Sequence, residues 1–190
     1  NLEPLPIAIS PLYVNPGSQE IKQGDKGIKN IGEEISKVIE VNLRRSGLFN
    51  PLKKDSFVQN PDIAHIKPRF EDWRLIKAQV LVTGKVSVSD SKLRTEFRLW
   101  DVVAAKEMVA LAFSTTPSNW RRVAHIISDK IYKRLTGEEG YFDTRIIYVS
   151  ETGKKTQRYK KLAIMDQDGA NVKYLTLGNE LVLTPRFSPT

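Results

Sequence analysis

The sequence contains no cysteine and only two histidines among its 190 residues. The lack of cysteine excludes disulfides, cysteine nucleophiles and thiolate metal sites within the chain. His65 lies in a polar loop and His125 lies beside an apolar helical stripe. We therefore interpret them as two isolated surface or boundary residues rather than as ligands of one metal ion.

Long hydrophobic runs are also missing, because no apolar stretch approaches the roughly 18 residues that a membrane-spanning helix needs. We expect no insertion into a membrane. The start of the chain, Asn1–Pro4, has no basic segment followed by an apolar one, so the sequence shows no signal peptide. A signal peptide that had been removed would leave no trace, so export stays open.

Motifs of enzyme active sites are absent as well. The sequence has no Gly-x-Ser-x-Gly elbow, no Walker loop and no Gly-x-Gly-x-x-Gly turn. The stretch Asp166–Gly169 resembles part of a calcium loop but lacks the remaining ligands, so we interpret it as an Asp-Gly hairpin turn. We predict no catalytic residues, no metal and no cofactor.

The chain has an ordinary soluble composition, with 40% hydrophobic and 27% charged residues, and a net charge of +8. Most of the positive excess lies in residues 1–136, with 22 lysine and arginine residues against 15 acidic ones. This excess permits binding to nucleic acid or to an acidic partner. Because the charges are spread out, we favour a solvated basic surface.

Two segments carry apolar residues at helical spacing, which predicts helices at about 28–45 and at 117–135. Gly47 is a plausible cap after the first helix, Ser118 is a candidate N-cap of the second, and Gly137 ends the second. The two stripes consist of Ile28, Ile31, Ile35, Val38, Ile39 and Leu43 in the first helix, and Trp120, Val123, Ala124, Ile127, Ile131 and Leu135 in the second.

Residues 79–115 alternate between apolar and polar positions, which predicts an antiparallel meander with one buried face and turns at 89–91 and 103–106. Together with the helices this favours an α/β (α+β) two-layer domain, in which two main helices cover one side of a small mixed sheet. The other elements expected before residue 117 are a strand at 6–12, an extended piece at 48–52, a loop at 53–69 and a short helix at 70–76.

The pattern of apolar residues changes after Gly137, where the sequence predicts only short strands and turns. Strands are predicted at 144–150, 157–166 and 173–175, with hairpin turns at Glu151–Lys155 and Asp166–Asn171. Successive hairpins of this kind build a propeller blade. The last residues, 181–190, begin a strand and stop, so we expect the chain to end inside a larger repeat domain. The first hairpin is basic, because it contains Lys154, Lys155, Arg158, Lys160 and Lys161. We favour a solvated face that protects the strand edge over a phosphate-binding site.

Several motifs, in this order, resemble the TolB family, the periplasmic components of bacterial Tol-Pal systems. Each motif is weak alone, and their order and spacing together are specific. They are Leu43–Leu52, Trp73–Ala78, Leu81–Val86, Phe97–Asp101, Trp120–Asp129, Leu135–Val149, Leu162–Asn171 and Leu183–Pro189.

This resemblance implies an N-terminal α/β domain at 1–136, a linker at 137–143, and at 144–190 the first blade and the start of the second blade of a truncated six-bladed β-propeller. It also implies a non-enzymatic protein that binds the lipoprotein Pal, chiefly through the propeller, and TolA through a flexible N-terminal segment. Such a cycle supports outer-membrane integrity and constriction during cell division. Most of both binding regions is expected to be missing here.

The resemblance assigns roles to a few residues. Asn1, Leu2 and Glu3 are either the last remnant of the TolA-binding segment or an ordered stub without binding energy. Tyr141, Phe142 and Arg145 are expected to pack between the two domains.

Two other function classes stay open from the residues. One is the non-catalytic part of a propeller-containing peptidase. The other is nucleic-acid binding by the basic first domain, for which fold alone is weak support. We expect no nucleic-acid partner. Because a lone blade would have two exposed edges, a dimer through strands 144–175 is a further possibility.

Overall fold

The computed structural model describes residues 3–23, 26–28, 30–154, 157–178 and 182–188. The chain divides into two compact units, Asn1–Gly140 and Tyr141–Thr190. The first unit contains β1 (Leu5–Ile9), β2 (Tyr13–Val14), β3 (Ile21–Gln23), β4 (Lys26–Ile28), α1 (Ile31–Arg45), β5 (Phe49–Pro51), α2 (Pro61–Ala64), α3 (Phe70–Leu75), β6 (Val80–Val88), β7 (Leu93–Asp101), β8 (Lys106–Thr115) and α4 (Trp120–Thr136), with single 3₁₀ turns at Lys54–Ser56 and Pro117–Asn119.

The main sheet has six strands and is mixed, as predicted. Its order is β5-β1-β6-β7-β8, with the short β2 also paired to β6. Strand β1 runs parallel to both neighbours, and Ile7 lies opposite Val80 on β6. Strands β6, β7 and β8 form the predicted antiparallel meander, in which Phe97 lies opposite Leu111. The parallel pairs put the first strand of the chain in the interior of the sheet.

Helix α1 begins three residues later than its apolar stripe predicts. Ile28 is the last residue of β4, which pairs with β3 in a small separate hairpin. Asn30 caps the helix, because its side-chain oxygen accepts a hydrogen bond of 3.2 Å from the backbone N–H of Glu33. Ile35, Ile39 and Leu43 are fully buried. The helical prediction is therefore right for the stripe and wrong for Ile28.

Helix α4 begins at Trp120, because Pro117–Asn119 form a 3₁₀ turn. Ser118 lies inside that turn, so the prediction that it is the N-cap is wrong; Asn119 holds the cap position without a side-chain hydrogen bond to the helix backbone. The predicted end at Gly137 is confirmed. Gly137 has φ +84 and donates its N–H to the carbonyl of Lys133, the left-handed ending that favours glycine.

The two main helices pack on each other and on one face of the sheet, where the ring of Tyr132 from α4 meets that of Phe49 from β5. The opposite face carries a smaller layer made by α2 and α3. There Trp73 is 1% exposed, and its indole N–H donates to Gln59. The predicted loop at 53–69 is thus wrong in part, since it contains α2. The core of this layer consists of Ala8, Ala64, Trp73, Ala78, Leu81 and Val102.

The second unit contains three antiparallel strands, β9 (Arg145–Lys154), β10 (Gln157–Asp166) and β11 (Lys173–Tyr174), in the order β11-β10-β9. The expected hairpin turn at Glu151–Lys155 is shorter than predicted, because residues 151–154 belong to β9 and Glu151 lies opposite Lys160. Lys155 lies outside the described residues. The turn at Asp166–Asn171 is present, with Gly169 at φ +86.

Candidate functional site

The N-terminal segment leads directly into β1, an interior strand of the main sheet. Asn1 and Leu2 lie outside the described residues, and Glu3 and Pro4 are exposed. The next residue, Leu5, donates its N–H to the carbonyl of Leu48 at 2.9 Å and opens β1. A partner bound by the residues before Leu5 would therefore be attached next to an interior strand of the sheet. The predicted binding role of Asn1, Leu2 and Glu3 stays a prediction.

The end of β1 is fixed on helix α1 by a buried serine. The hydroxyl of Ser36 lies 3.0 Å from the carbonyls of Ser10 and Gly32, to which it can donate, and it accepts the N–H of Leu12 at 3.1 Å. Gly32 lies close by, and a Cβ atom there would be 1.9 Å from the carbonyl oxygen of Leu12. Only glycine allows this contact, so α1 and the chain after β1 are held in one geometry.

A buried polar cluster joins α1 to α4. The side-chain amide of Asn42 is 2.9 Å from Nδ1 of His125 and donates to the hydroxyl of Ser128 at 3.0 Å. Ser128 in turn donates to the carbonyl of Ala124. His125 is 2% exposed, so the prediction of a surface or boundary residue is wrong for it. The other histidine, His65, stacks on Tyr13 with ring centroids 4.6 Å apart.

The segment after α4 is held tightly against the helix. Lys133 and Glu139 form an ion pair, and the hydrogen bond from Lys133 lowers the pKa of the Glu139 carboxyl. At Gly140 a Cβ atom would be 2.3 Å from a carboxylate oxygen of Asp129 and 2.5 Å from its Cα. Gly140 is therefore packed directly against α4.

The three residues predicted to pack between the domains differ in exposure. Phe142 is 1% exposed and Tyr141 is 47% exposed, and their ring centroids are 4.6 Å apart. Arg145 is exposed at the start of β9. The carbonyl of Tyr141 accepts the hydroxyl of Thr144 at 2.7 Å, which shapes the approach to β9. The interdomain role of these residues stays a prediction.

The basic hairpin of the second unit carries its own counter-charge. Glu151 on β9 pairs with Arg158 and Lys160 on β10. Hydrogen bonds from Arg158 and then from Lys160 lower the pKa of the Glu151 carboxyl. With two of its basic groups paired, the hairpin suits a solvated, edge-protecting face better than a grip on phosphate.

Of the three tryptophans, Trp73 and Trp120 are buried and Trp100 is half-buried. Packing is thus the role of the first two, as their positions in amphipathic elements predict. Within the described residues, no helix combines the length and the apolar character required to cross a bilayer.

Comparison with known proteins gives two consecutive family matches. The family described as "TolB amino-terminal domain" matches residues 1–108, and the one described as "TolB beta propeller domain" matches residues 132–190. Among curated relatives, the Tol-Pal system protein TolB of Pelagibacter ubique (strain HTCC1062) is 70% identical over all 190 residues, which span 43% of its length.

A solved structure is also similar over nearly the whole chain. The crystal structure of TolB from Acinetobacter baumannii matches with a TM-score of 0.75 and 25% identity, covering 96% of this chain and 41% of that one. The chain thus spans about two fifths of the length of both relatives. Because the amino-terminal family match alone covers 108 of the 190 residues and the propeller match follows it in order, the chain belongs to the TolB family.

Proposed function

We propose that this chain is a non-enzymatic, periplasmic component of a Tol-Pal system that works by binding other proteins. In this proposal it helps to link Pal and TolA, and so supports outer-membrane integrity and constriction during cell division. One observation carries it: the two TolB-type matches occur in the family order, and a Tol-Pal system protein is 70% identical over the whole chain.

The second unit is proposed to be the first blade of a six-bladed propeller, with the start of the next blade after it. Its three antiparallel strands and the propeller match over residues 132–190 support this proposal. The exposed Leu177 and Phe187 would then be covered by following blades. In the proposed protein, Pal binds chiefly to the propeller.

The N-terminal residues Asn1, Leu2 and Glu3 are proposed as the end of the segment that binds TolA. The short connection from Glu3 to the interior strand β1 supports this proposal. Binding of a partner to the segment would act directly on the position of β1. Coupling between two partners requires that each binds one state of the protein better than another.

Tyr141, Phe142 and Arg145 are proposed to hold the two domains in a fixed relation, which such coupling needs. The burial of Phe142 supports a packing role for it. In a full-length TolB protein that carries these 190 residues, Tyr141→Ala and Phe142→Ala should each change the small-angle X-ray scattering profile and weaken Pal binding. Glu138→Ala, on the exposed segment just before, should change neither. Unchanged scattering and affinity in both aromatic variants would remove this part of the proposal.

The function is tested by a chimera in which these 190 residues replace the matching part of the Pelagibacter protein. The chimera and the parent protein are compared in pull-downs with Pal and TolA, and in rescue of a bacterium that lacks its own tolB gene. We expect the chimera to bind both partners and to restore resistance to detergent. If the parent binds and rescues and the well-folded chimera does neither, the proposed function is wrong.

A further inference from the structure

A cavity of about 390 Å³ lies on the face of the first unit that carries α2 and α3. Its lining comes from the segment before α3, from α3 itself, from the end of β7 and from the turn after β7, and it includes Lys67, Arg69, Phe70, Arg74 and Trp100. Its volume falls within the ordinary range for ligand sites, about 300–1,000 Å³. The cavity belongs to one unit and is distant in sequence from the N-terminal segment and from residues 141–145.

Two aromatic rings form a firm apolar wall. Phe70 and Trp100 meet edge to face, with centroids 5.8 Å apart. The indole N–H of Trp100 donates to the hydroxyl of Thr83 at 2.9 Å, and the guanidinium of Arg98 lies 5.9 Å from the ring centroid. The polar edge of the indole is therefore already satisfied inside the protein. What the half-buried ring offers to a ligand is apolar surface.

The lining is positively charged, with Lys67, Arg69 and Arg74 against the single carboxylate of Glu71. Arg69 also pairs with Asp72 at 2.7 Å. Arg74 donates through Nε and Nη2 to the carbonyls of Val102 and Val103. These bonds anchor its guanidinium beside the cavity, and they do not use Nη1. Carboxylates and phosphates are the ligand groups that fit a held guanidinium.

Exposed aliphatic residues accompany this charge: Ile66 lines the cavity, Leu75 follows Arg74 in the chain, and the carbonyl of Val103 accepts a hydrogen bond from Arg74. Ile66 at the cavity is 69% exposed, and the neighbouring Leu75 and Val103 are 79% and 69% exposed. Exposed apolar residues close together at a concave, aromatic and arginine-rich site are typical of protein interaction surfaces. A nucleic-acid backbone would gain little from three aliphatic side chains, so the combination favours a polypeptide.

We propose that this cavity binds an acidic peptide segment of a partner protein, with one apolar side chain against Phe70 and Trp100 and carboxylates near Lys67, Arg69 and Arg74. The apolar anchor supplies burial, and the charges select an acidic sequence. This inference does not depend on the proposed function, because neither Pal nor TolA enters its argument.

The test is a nuclear magnetic resonance titration of the 190-residue chain, since its three tryptophans give three indole signals. The probe is a blocked pentapeptide, Glu-Asp-Leu-Glu-Asp. One matched peptide has Ala in place of Leu, and another has Lys at the four acidic positions. We expect saturable shifts of the Trp100 indole and of the Phe70 and Arg74 amides with the first peptide. The Ala peptide should bind several-fold more weakly, and the Lys peptide should cause no saturable shift.

Variants make the test specific. Lys67→Glu and Leu75→Ser change exposed side chains and should each weaken binding about threefold to tenfold. Lys92→Glu, a lysine in the turn between β6 and β7, is the matched charge control and should bind as the parent does. Equal binding of acidic and basic peptides, unchanged affinity in both Lys67→Glu and Leu75→Ser, or no saturable shift at all would overturn the proposal. Tight binding of a short oligothymidine at the same residues instead of the peptide would also overturn it.

Discussion

At the scale of single residues, Gly32 shows how one missing side chain sets the position of a helix. Its Cα faces backbone atoms of Leu12, which cannot rotate away as a side chain could. A methyl group there must move α1 away from the chain that follows β1. The sequence alone gives no sign of this contact, because the residues around the glycine follow an ordinary helical pattern.

We expect Gly32→Ala to destabilise the first unit by about 1–3 kcal/mol, the usual cost of overpacking, despite the better helix propensity of alanine. Urea unfolding followed by circular dichroism measures the change. Lys37→Ala, on the exposed side of the same helix, is the control and should change stability by less than about 0.5 kcal/mol. Equal midpoints for the two variants would contradict the close contact.

Asn42 is the second residue with a large expected effect. Removing its amide in Asn42→Ala leaves the buried His125 and Ser128 without the donor that joins them. Loss of a partner from buried polar groups costs about 1–3 kcal/mol. The same unfolding experiment checks this, with Val41→Ala on the exposed side of α1 as control. A variant as stable as the parent would show that the cluster does not hold α1 to α4.

The sequence indicates that Asn42 is buried, but it does not indicate that His125 and Ser128 are its partners. Asn42 follows Val38 and Ile39 at helical spacing, so it had to face the core, where an amide needs a partner. Which residue supplies that partner depends on how α1 and α4 cross. That geometry comes from packing rather than from either stripe. The sequence pattern therefore predicts a surface or boundary position for His125, and the structure buries it.

At the scale of elements, the outer face of the meander carries a ladder of opposite charges. Glu96 on β7 lies between Lys85 on β6 and Arg94 on its own strand. Burial raises the pKa of the Glu96 carboxyl, but the hydrogen bond from Arg94 and the charge of Lys85 outweigh this effect, so the pKa is lowered overall. A carboxyl with a lowered pKa in the fold stabilises the protein only while it is ionised.

The sign of the pH dependence follows from this shift. The contribution of Glu96 is complete above the pKa of about 4.3 that the carboxyl has in an unfolded chain, and it is lost as the pH falls through the lower folded value. Glu96→Gln should therefore be less stable than the parent at pH 7, by at most about 1 kcal/mol for so exposed a pair. The difference should shrink in acid.

Unfolding free energies of both proteins across the acid range measure this effect. High salt should reduce the difference at neutral pH, because exposed pairs are screened. Glu107→Gln, which removes a longer ion pair of 3.6 Å to Arg98 on the same face, is the matched control and should show a smaller difference. A difference for Glu96→Gln that grows in acid would contradict the lowered pKa.

Elements were predictable where their signal is local. The meander is predictable because apolar and polar residues alternate along the sequence of its strands and short turns join them. In the structure only β7 alternates in burial, whereas β6 is mostly buried and β8 is exposed or half-buried, so the prediction of one buried face holds for β7 and not for its two neighbours. The sequence pattern does not reveal the hairpin of β3 and β4, because Ile28 lies at helical spacing before Ile31 and so looks like part of α1. The cap at Asn30, three residues before Glu33, is the signal that marks the true start. The parallel pairing of β1 with β5 and β6 joins distant segments, so no local pattern reveals it.

At the scale of the whole molecule, the buried apolar side chains are distributed unevenly. Among the described residues, those of the second unit are Phe142 and Ala163, whereas the first unit holds all the others. The second unit also exposes Ile146, Leu177 and Phe187. A sheet with two edges and little core favours contact with another chain.

We therefore expect the 190-residue chain to self-associate through β9 or β11, the two edge strands of this sheet. The edge-strand dimer stays a prediction. Ile146→Lys, on the edge strand β9, should lower the association measured by sedimentation across a wide range of concentration. Val58→Lys places the same charge on an exposed site of the first unit and should leave association unchanged. A parent chain that remains monomeric at all concentrations would contradict the prediction.

The interior position of β1 has a mechanical consequence. A partner that pulled on the residues before Leu5 would load β1 along its own axis, toward the amino-terminal end. The strands on both sides of β1 run parallel to it, so this force acts along the strands and perpendicular to the hydrogen bonds between them. The hydrogen bonds would then share the force and would not break one at a time. Tension applied at the amino terminus would thus load the hydrogen bonds to β5 and to β6 at the same time.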